Sequence, residues 1–292
     1  MRTHNPDVAG SFGHYLCSRG QTTGLAFAAG LAMAACTGTH VPTSGEIGWV
    51  KQVMVHGVPI YATDTTPDEK LLHAAGVLAQ FLDNDEDGVP DNPVVHQAIL
   101  DTRGAIVMTG TEQEADDMDW RDSPRGQGLY AEETQLNARE RGVFDYALEE
   151  IWHMVTDYGY RVAYPDVFGT EPGTTLTDAM DKARGGRFDR PPPKYPEGAW
   201  YTYDDVSCDY GCMASEYIYW VYTSFIGAQD LPGRLDQIGH EWRLNTPKKL
   251  KEGEPVLHRI LSDPKYKIPL AIPDGTYEGP TLVVEPYEPA DP

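Results

Sequence analysis

The stretch Val143-Phe-Asp-Tyr-Ala-Leu-Glu-Glu-Ile-Trp-His-Met-Val-Thr-Asp157 decides how this chain is read. At about 100° per residue, Phe144, Ala147, Leu148, Ile151 and Val155 form one apolar stripe. Tyr146, Glu149, Glu150, His153 and Asp157 fall on the opposite face, with His153 near its centre. The pattern predicts a helix from Gly142 to Tyr158 whose polar face suits either solvent or an active site. Upstream, Trp49–Thr63 alternates as a hairpin turning at His56-Gly57. Thr66-Pro67-Asp68-Glu69 then opens a helix that carries Leu71, Leu72, Ala75, Leu78, Ala79 and Leu82 at helical spacing. A short helix from Pro93 to Asp101, a buried strand at Ala105–Thr109 and a weaker strand at Gly128–Thr134 complete the first half.

Downstream, residues 160–211 read mostly as loop, a helix runs from about Cys212 to Ile226, and a shorter one lies near 234–244. With no internal repeat and no linker composition, residues 46–284 form a single α+β domain: a small mixed sheet, a backing helix, the helix at 142–158 and a loop-rich C-terminal half. Residues 285–292 are expected to be a disordered tail. The 292 residues hold 45 Asp or Glu against 23 Lys or Arg, a net charge of −22. That surface repels polyphosphate and excludes nucleic acid as a partner.

The first 36 residues differ from the rest. Gly24-Leu-Ala-Phe-Ala-Ala-Gly-Leu-Ala-Met-Ala-Ala35 is an apolar run of signal-peptide length, too short to span a membrane. Met33-Ala-Ala-Cys36 resembles a bacterial lipobox, which implies cleavage after residue 35, a lipid anchor on Cys36 and a tether over 36–45; ordinary signal cleavage is the alternative. Either way the chain is expected to be exported, periplasmic or extracellular, meeting a membrane only through that lipid. Residues 1–35 hold just Arg2, Asp7 and Arg19 among the charged residues, so the acidity belongs to the remainder. In an oxidising compartment Cys208 and Cys212, four apart, are expected to form a disulfide.

Two motifs carry chemistry. In Asp83-Asn-Asp85-Glu-Asp87-Gly88-Val-Pro-Asp91, carboxylates stand at the first, third, fifth and ninth positions with Gly at the sixth. Calcium takes six to eight hard oxygens, and alternate acidic side chains around a Gly turn deliver them. The run resembles the calcium loops of EF-hands and of thrombospondin type 3 repeats, although Val94 stands at the twelfth position where an EF-hand has a bidentate Glu. The resemblance implies a structural calcium on Asp83, Asp85, Asp87 and Asp91.

The second motif is Glu149-Glu150-Ile-Trp-His153, in which residues 149 and 153 lie one helical turn apart and can hold one metal. It resembles the His-Glu-x-x-His helix of zincin metallopeptidases with Glu149 in place of the first His. The gluzincin pattern takes a third ligand, a Glu, from a later helix, and Glu216 is the only charged residue in Met213–Ile226. A buried carboxylate needs a partner, and metal, Arg184 or Arg187, or a tyrosine network are the candidates. The resemblance implies metal ligands Glu149, His153 and Glu216, with Glu150 as general base and Tyr203 as oxyanion donor, Tyr201 and Tyr210 being alternatives. It also implies zinc, or iron or manganese given the harder donor set. Glu150 and His153 also have the Glu-x-x-His spacing of di-iron bundles, which need a second such pair. His240-Glu241 is a reserve ligand pair. The expectation is an exported, metallopeptidase-like hydrolase acting on a peptide or small molecule. The competing class is a non-catalytic, calcium-stabilised surface or envelope lipoprotein.

Overall fold

The His56-Gly57 pair makes the turn expected of it. His56 (φ 48°) and Gly57 (φ 83°) are both left-handed, the geometry of a two-residue hairpin turn, and join β1 (Trp49–Val55) to β2 (Val58–Thr63). The register runs Val55 opposite Val58 and Val53 opposite Ile60. The computed structural model describes residues 48–288 except 119, 121–123 and 125. The expected signal peptide, the expected tether and the expected lipid anchor at Cys36 lie outside the described residues.

From β2 the chain enters α1 (Asp68–Leu82), then α2 (Pro93–Thr102), capped by the Asn92 side chain on the Val95 amide, and returns as β3 (Ile106–Thr109), parallel to β2. Next come α3 (Glu112–Asp117) and β4 (Gln127–Tyr130), parallel to β3 and at one edge of the sheet. The expected strand to Thr134 stops at Tyr130, where the Glu133 amide turns back to the Tyr130 carbonyl.

Gly142 (φ 67°) closes a short α4 (Ala138–Arg141) in the left-handed region, so the central helix cannot start there. It starts as α5 (Ala147–Met154), five residues later than its periodicity suggests. It continues as a π-helical turn, Val155–Tyr160, into α6 (Arg161–Ala163). All eight residues of α5 are buried, the face carrying Glu149, Glu150 and His153 included. α7 (Pro165–Phe168) precedes α8 (Thr175–Arg184), a helix inside the stretch expected to be loop, fixed by a reciprocal capping box between Thr174 and Thr177. α9 (Tyr210–Phe225) follows, buried along nearly its whole length. α10 (Arg234–Ile238), α11 (Pro247–Gly253) and α12 (Pro255–Leu261) make the C-terminal part more helical than expected.

The expected disordered tail is corrected over its first residues. Glu285–Pro286 form β5, antiparallel to β1, and Tyr287 packs its ring edge-on against Tyr61 at 5.3 Å. The sheet order is therefore β4-β3-β2-β1-β5. The preceding segment lies against α1 so closely that a Cβ on Gly76 would come 2.2 Å from the Gly275 carbonyl oxygen, so this helix position accepts only glycine. One hydrophobic core runs through β1–β4, α1, α5 and α9, making a single α+β domain.

Candidate metal centre

Three helices bring the centre together. Trp152 of α5 stacks on Tyr222 of α9 with ring centres 3.7 Å apart, and Phe81 of α1 leans on both at 5.3 and 5.9 Å. This aromatic packing fixes α5 against α9. At the start of α5, Asp145 accepts from the Ala147 and Gln135 amides and from His73 Nε2 of α1 at 2.7 Å, which sets where the helix begins. On α9, Asp209 caps the Cys212 amide, and the Cys208–Cys212 disulfide ties the preceding loop to the first turn, with Cα atoms 5.4 Å apart. Ser215 then donates to Asp157 at 2.9 Å, a direct link between α9 and the π turn.

With the helices so placed, Glu149, His153 and Glu216 each offer a ligand atom within 4.8 Å of the others. They are 4%, 4% and 5% exposed. Both ring nitrogens of His153 are buried without a hydrogen-bond partner, and its Nε2 stands 3.6 Å from a Glu216 oxygen. An imidazole in this condition is rare, because a buried donor or acceptor left unmade costs about 1–3 kcal/mol. Burial pushes His153 down to about 4, so the ring is neutral, the form in which imidazole ligates a metal.

The carboxylates are equally unusual. Burial pushes Glu149 up to about 8, with Glu133 and Glu241 adding negative potential, while a Tyr219 hydrogen bond and Arg234 act the other way. Glu150 is raised well above the usual range by burial and then by Glu149 and Glu133, and Gln127 of β4 donates to its Oε2 at 2.6 Å. Glu216 is raised likewise, by burial and then by Glu149, Glu150 and Glu241, against a hydrogen bond from Tyr203. Burial brings Glu133 and Glu241 up to about 7. Arg234 offsets only part of this negative potential, and a divalent cation would supply the remaining opposite charge.

The candidate partners of Glu216 are thereby sorted. Arg184 is fully buried but pairs with Asp181 at 2.6 Å, and Arg187 lies near Asp189 and over the Tyr210 ring. Tyr201 donates to the Met213 carbonyl and Tyr210 to Asp181, which leaves Tyr203 as the one of the three expected tyrosines that reaches the triad. Tyr203 also lines an open groove of about 330 Å³ together with Tyr195, Asp204, His240 and Glu241. His240 is exposed, with its Nε2 3.6 Å from a Glu241 oxygen, and Glu241 adds negative potential at Glu216. Gln127, Glu133 and Arg234 join the site without a sequence signal, because each arrives from a separate segment; Tyr219 stands three residues after Glu216 on α9, a spacing that puts both on one helix face.

The acidic loop is a second convergence. Asp83, Asp85 and Asp91 bring ligand oxygens within 4.8 Å of one another. Asp87 is not in that group: its Oδ1 accepts from the Val89 amide at 2.9 Å. Asp83 is fully buried and accepts from the Asp87 and Gly88 amides and from the Tyr277 hydroxyl. Asn84 Oδ1 accepts from the Leu270 and Ala271 amides, so the loop grips the C-terminal segment. Set against family models, curated proteins and solved structures, the chain finds no match in any of the three.

Proposed function

We propose that the chain is an exported, metal-dependent hydrolase of metallopeptidase type, with Glu149, His153 and Glu216 holding the ion. The observation that carries this reading is the His153 ring, buried in a pocket of carboxylates with neither nitrogen hydrogen-bonded. Two carboxylates and one imidazole suit zinc, iron or manganese. An ion there would polarise a water and a substrate carbonyl. Glu150 has one oxygen held by Gln127, leaving the other to take a proton from the attacking water and hand it to the leaving amine. Burial raises the Glu150 carboxyl, and the charge of a bound ion would favour the ionised form that accepts the proton. Tyr203 hydrogen-bonds the triad and lines the open groove, and it is the donor we assign to the developing oxyanion. Substrate enters along that groove as a peptide or a small molecule of similar chemistry.

The deep burial of the triad favours one other reading, a non-catalytic envelope protein in which the ion is structural. Metal analysis together with turnover of a quenched-fluorescent peptide library separates the two. In the hydrolase, His153→Ala loses the ion, while Glu150→Gln keeps it and loses about 10²–10⁴-fold in rate. Retention of the ion by His153→Ala rejects the site. Metal binding without hydrolysis by the parent chain supports the structural reading.

Asp83, Asp85 and Asp91 we assign to a structural calcium that holds the junction of α1 and α2 against the C-terminal segment. A lipid anchor on Cys36 accounts for the membrane association we propose; no described helix is long and apolar enough to cross a membrane.

A further inference from the structure

We propose that Arg234, Gln229 and Tyr219 form a one-way hydrogen-bond chain that holds Glu149 as a metal ligand through a single oxygen. This rests on the metal site assigned above. The three residues are 3%, 0% and 0% exposed, so their hydrogen bonds are made within the protein. Arg234 Nε can only donate, and it donates to Gln229 Oε1 at 2.8 Å. That contact fixes the orientation of the Gln229 amide, whose Nε2 must then face the other way. Its two hydrogens go to the Tyr219 hydroxyl and to Thr223 Oγ1, each at 3.1 Å. Thr223 completes the arrangement by giving its own hydrogen to the Tyr219 carbonyl at 2.8 Å.

The Tyr219 hydroxyl oxygen is thus an acceptor from Gln229, and its single hydrogen is left to turn toward Glu149, the neighbouring carboxylate. Each link dictates the direction of the next, starting from a guanidinium that has no acceptor function. Arg234 is itself fixed by the Phe144 ring 4.3 Å from its guanidinium carbon and by Gln237 Oε1 at 3.1 Å. At the far end, we assign one Glu149 oxygen to the Tyr219 hydrogen and the other to the ion. Such outer hydrogen bonds fix ligand orientation and basicity, and their loss costs about 10–100-fold in metal affinity. Gln229, Tyr219 and Arg234 are accordingly positioning residues.

The test uses the full chain, with zinc affinity by competition and the visible spectrum of the cobalt(II)-loaded protein as readouts and the melting temperature as a control. Tyr219→Phe removes the terminal hydrogen bond with almost no change of shape, and it should weaken zinc by about 10–100-fold and shift the cobalt bands. Gln229→Glu is the sharper variant. It keeps size and strengthens the contact with Arg234, yet sets a carboxylate against the Tyr219 hydroxyl and draws the hydrogen away from Glu149. Loss of zinc affinity of 10-fold or more at an unchanged or higher melting temperature is the expected result, because a merely structural role would leave affinity intact. Parental affinity and cobalt bands in both variants overturn the chain while leaving the metal site standing, provided His153→Ala loses the ion. A parent protein that takes up neither zinc nor cobalt overturns the site and the chain together.

Discussion

The two acidic clusters of this protein are built on opposite plans. In the loop at 83–91, carboxylates a few residues apart converge, and their oxygens are already engaged by the loop's own amides: Gly88 and Asp87 on Asp83, Asn84 on Asp91. In the helical centre, residues 67 positions apart along the chain, Glu149 and Glu216, are brought together inside the core, and neither ring nitrogen of His153 has a hydrogen-bond partner. The first cluster is local, partly solvated and hydrogen-bonded without an ion. The second is remote and buried, with an imidazole whose ring nitrogens have no hydrogen-bond partner. An ion at the loop should therefore act mainly on stability, and an ion at the helical centre mainly on chemistry.

The largest effect that tests this contrast is expected from Trp152→Ala. Removing the ring stacked on Tyr222 and packed against Phe81 empties a fully buried position and should cost about 3–5 kcal/mol in chemical denaturation. It should also weaken zinc binding and leave calcium binding intact, since no residue of the acidic loop touches that packing; equal loss of both ions would break the comparison. Next in size is calcium itself. At a free concentration about 100-fold above its dissociation constant, an ion bound only by the native state adds about 2.7 kcal/mol. Chelation should remove that increment from the parent, and Asp83→Ala should show no calcium-dependent increment. If chelator leaves the melting temperature of the parent unchanged, the loop is an acidic turn held by its amides alone. The smallest effect is expected from reducing Cys208–Cys212, because a closed loop of about four residues restricts the unfolded chain by only about 2 kcal/mol. Reduction should loosen the segment carrying Tyr203 and lower turnover more than zinc affinity, as read by kinetics beside competition titration.

Where structure depended on neighbours in the chain, the residues were readable. His56-Gly57 specified its turn because both positions must take positive φ, and the Asp-rich loop specified its own convergence through spacing around Gly88. Glu149 and His153 were readable as a pair because positions four apart on a helix share a face, and Glu216 because a lone charge in an apolar helix demands a partner. Other local signals stand in the stretches that composition reads as loop. Thr174 with Thr177 is a capping signal for α8, and Thr246-Pro247 and Glu254-Pro255 are start signals for α11 and α12. The start of the central helix was misplaced because amphipathic spacing continues through Gly142, while the backbone there is left-handed.

By itself the sequence determined that the chain is an acidic α+β protein, that an oxygen-rich loop follows α1, and that Glu149, His153 and Glu216 are the residues to watch. Each of those follows from local spacing or from the cost of burying a charge. Only the tertiary structure decided that the polar face of α5 is buried rather than solvated, because an amphipathic helix does not state what covers its second face. It also decided that Tyr203 rather than Tyr201 or Tyr210 reaches Glu216. And it alone brought Gln127, Glu133, Gln229, Arg234 and Glu241 to the centre. These contacts join β4, α9, α10 and the segments beside them, and no pattern within a single segment encodes which other segment will lie across from it.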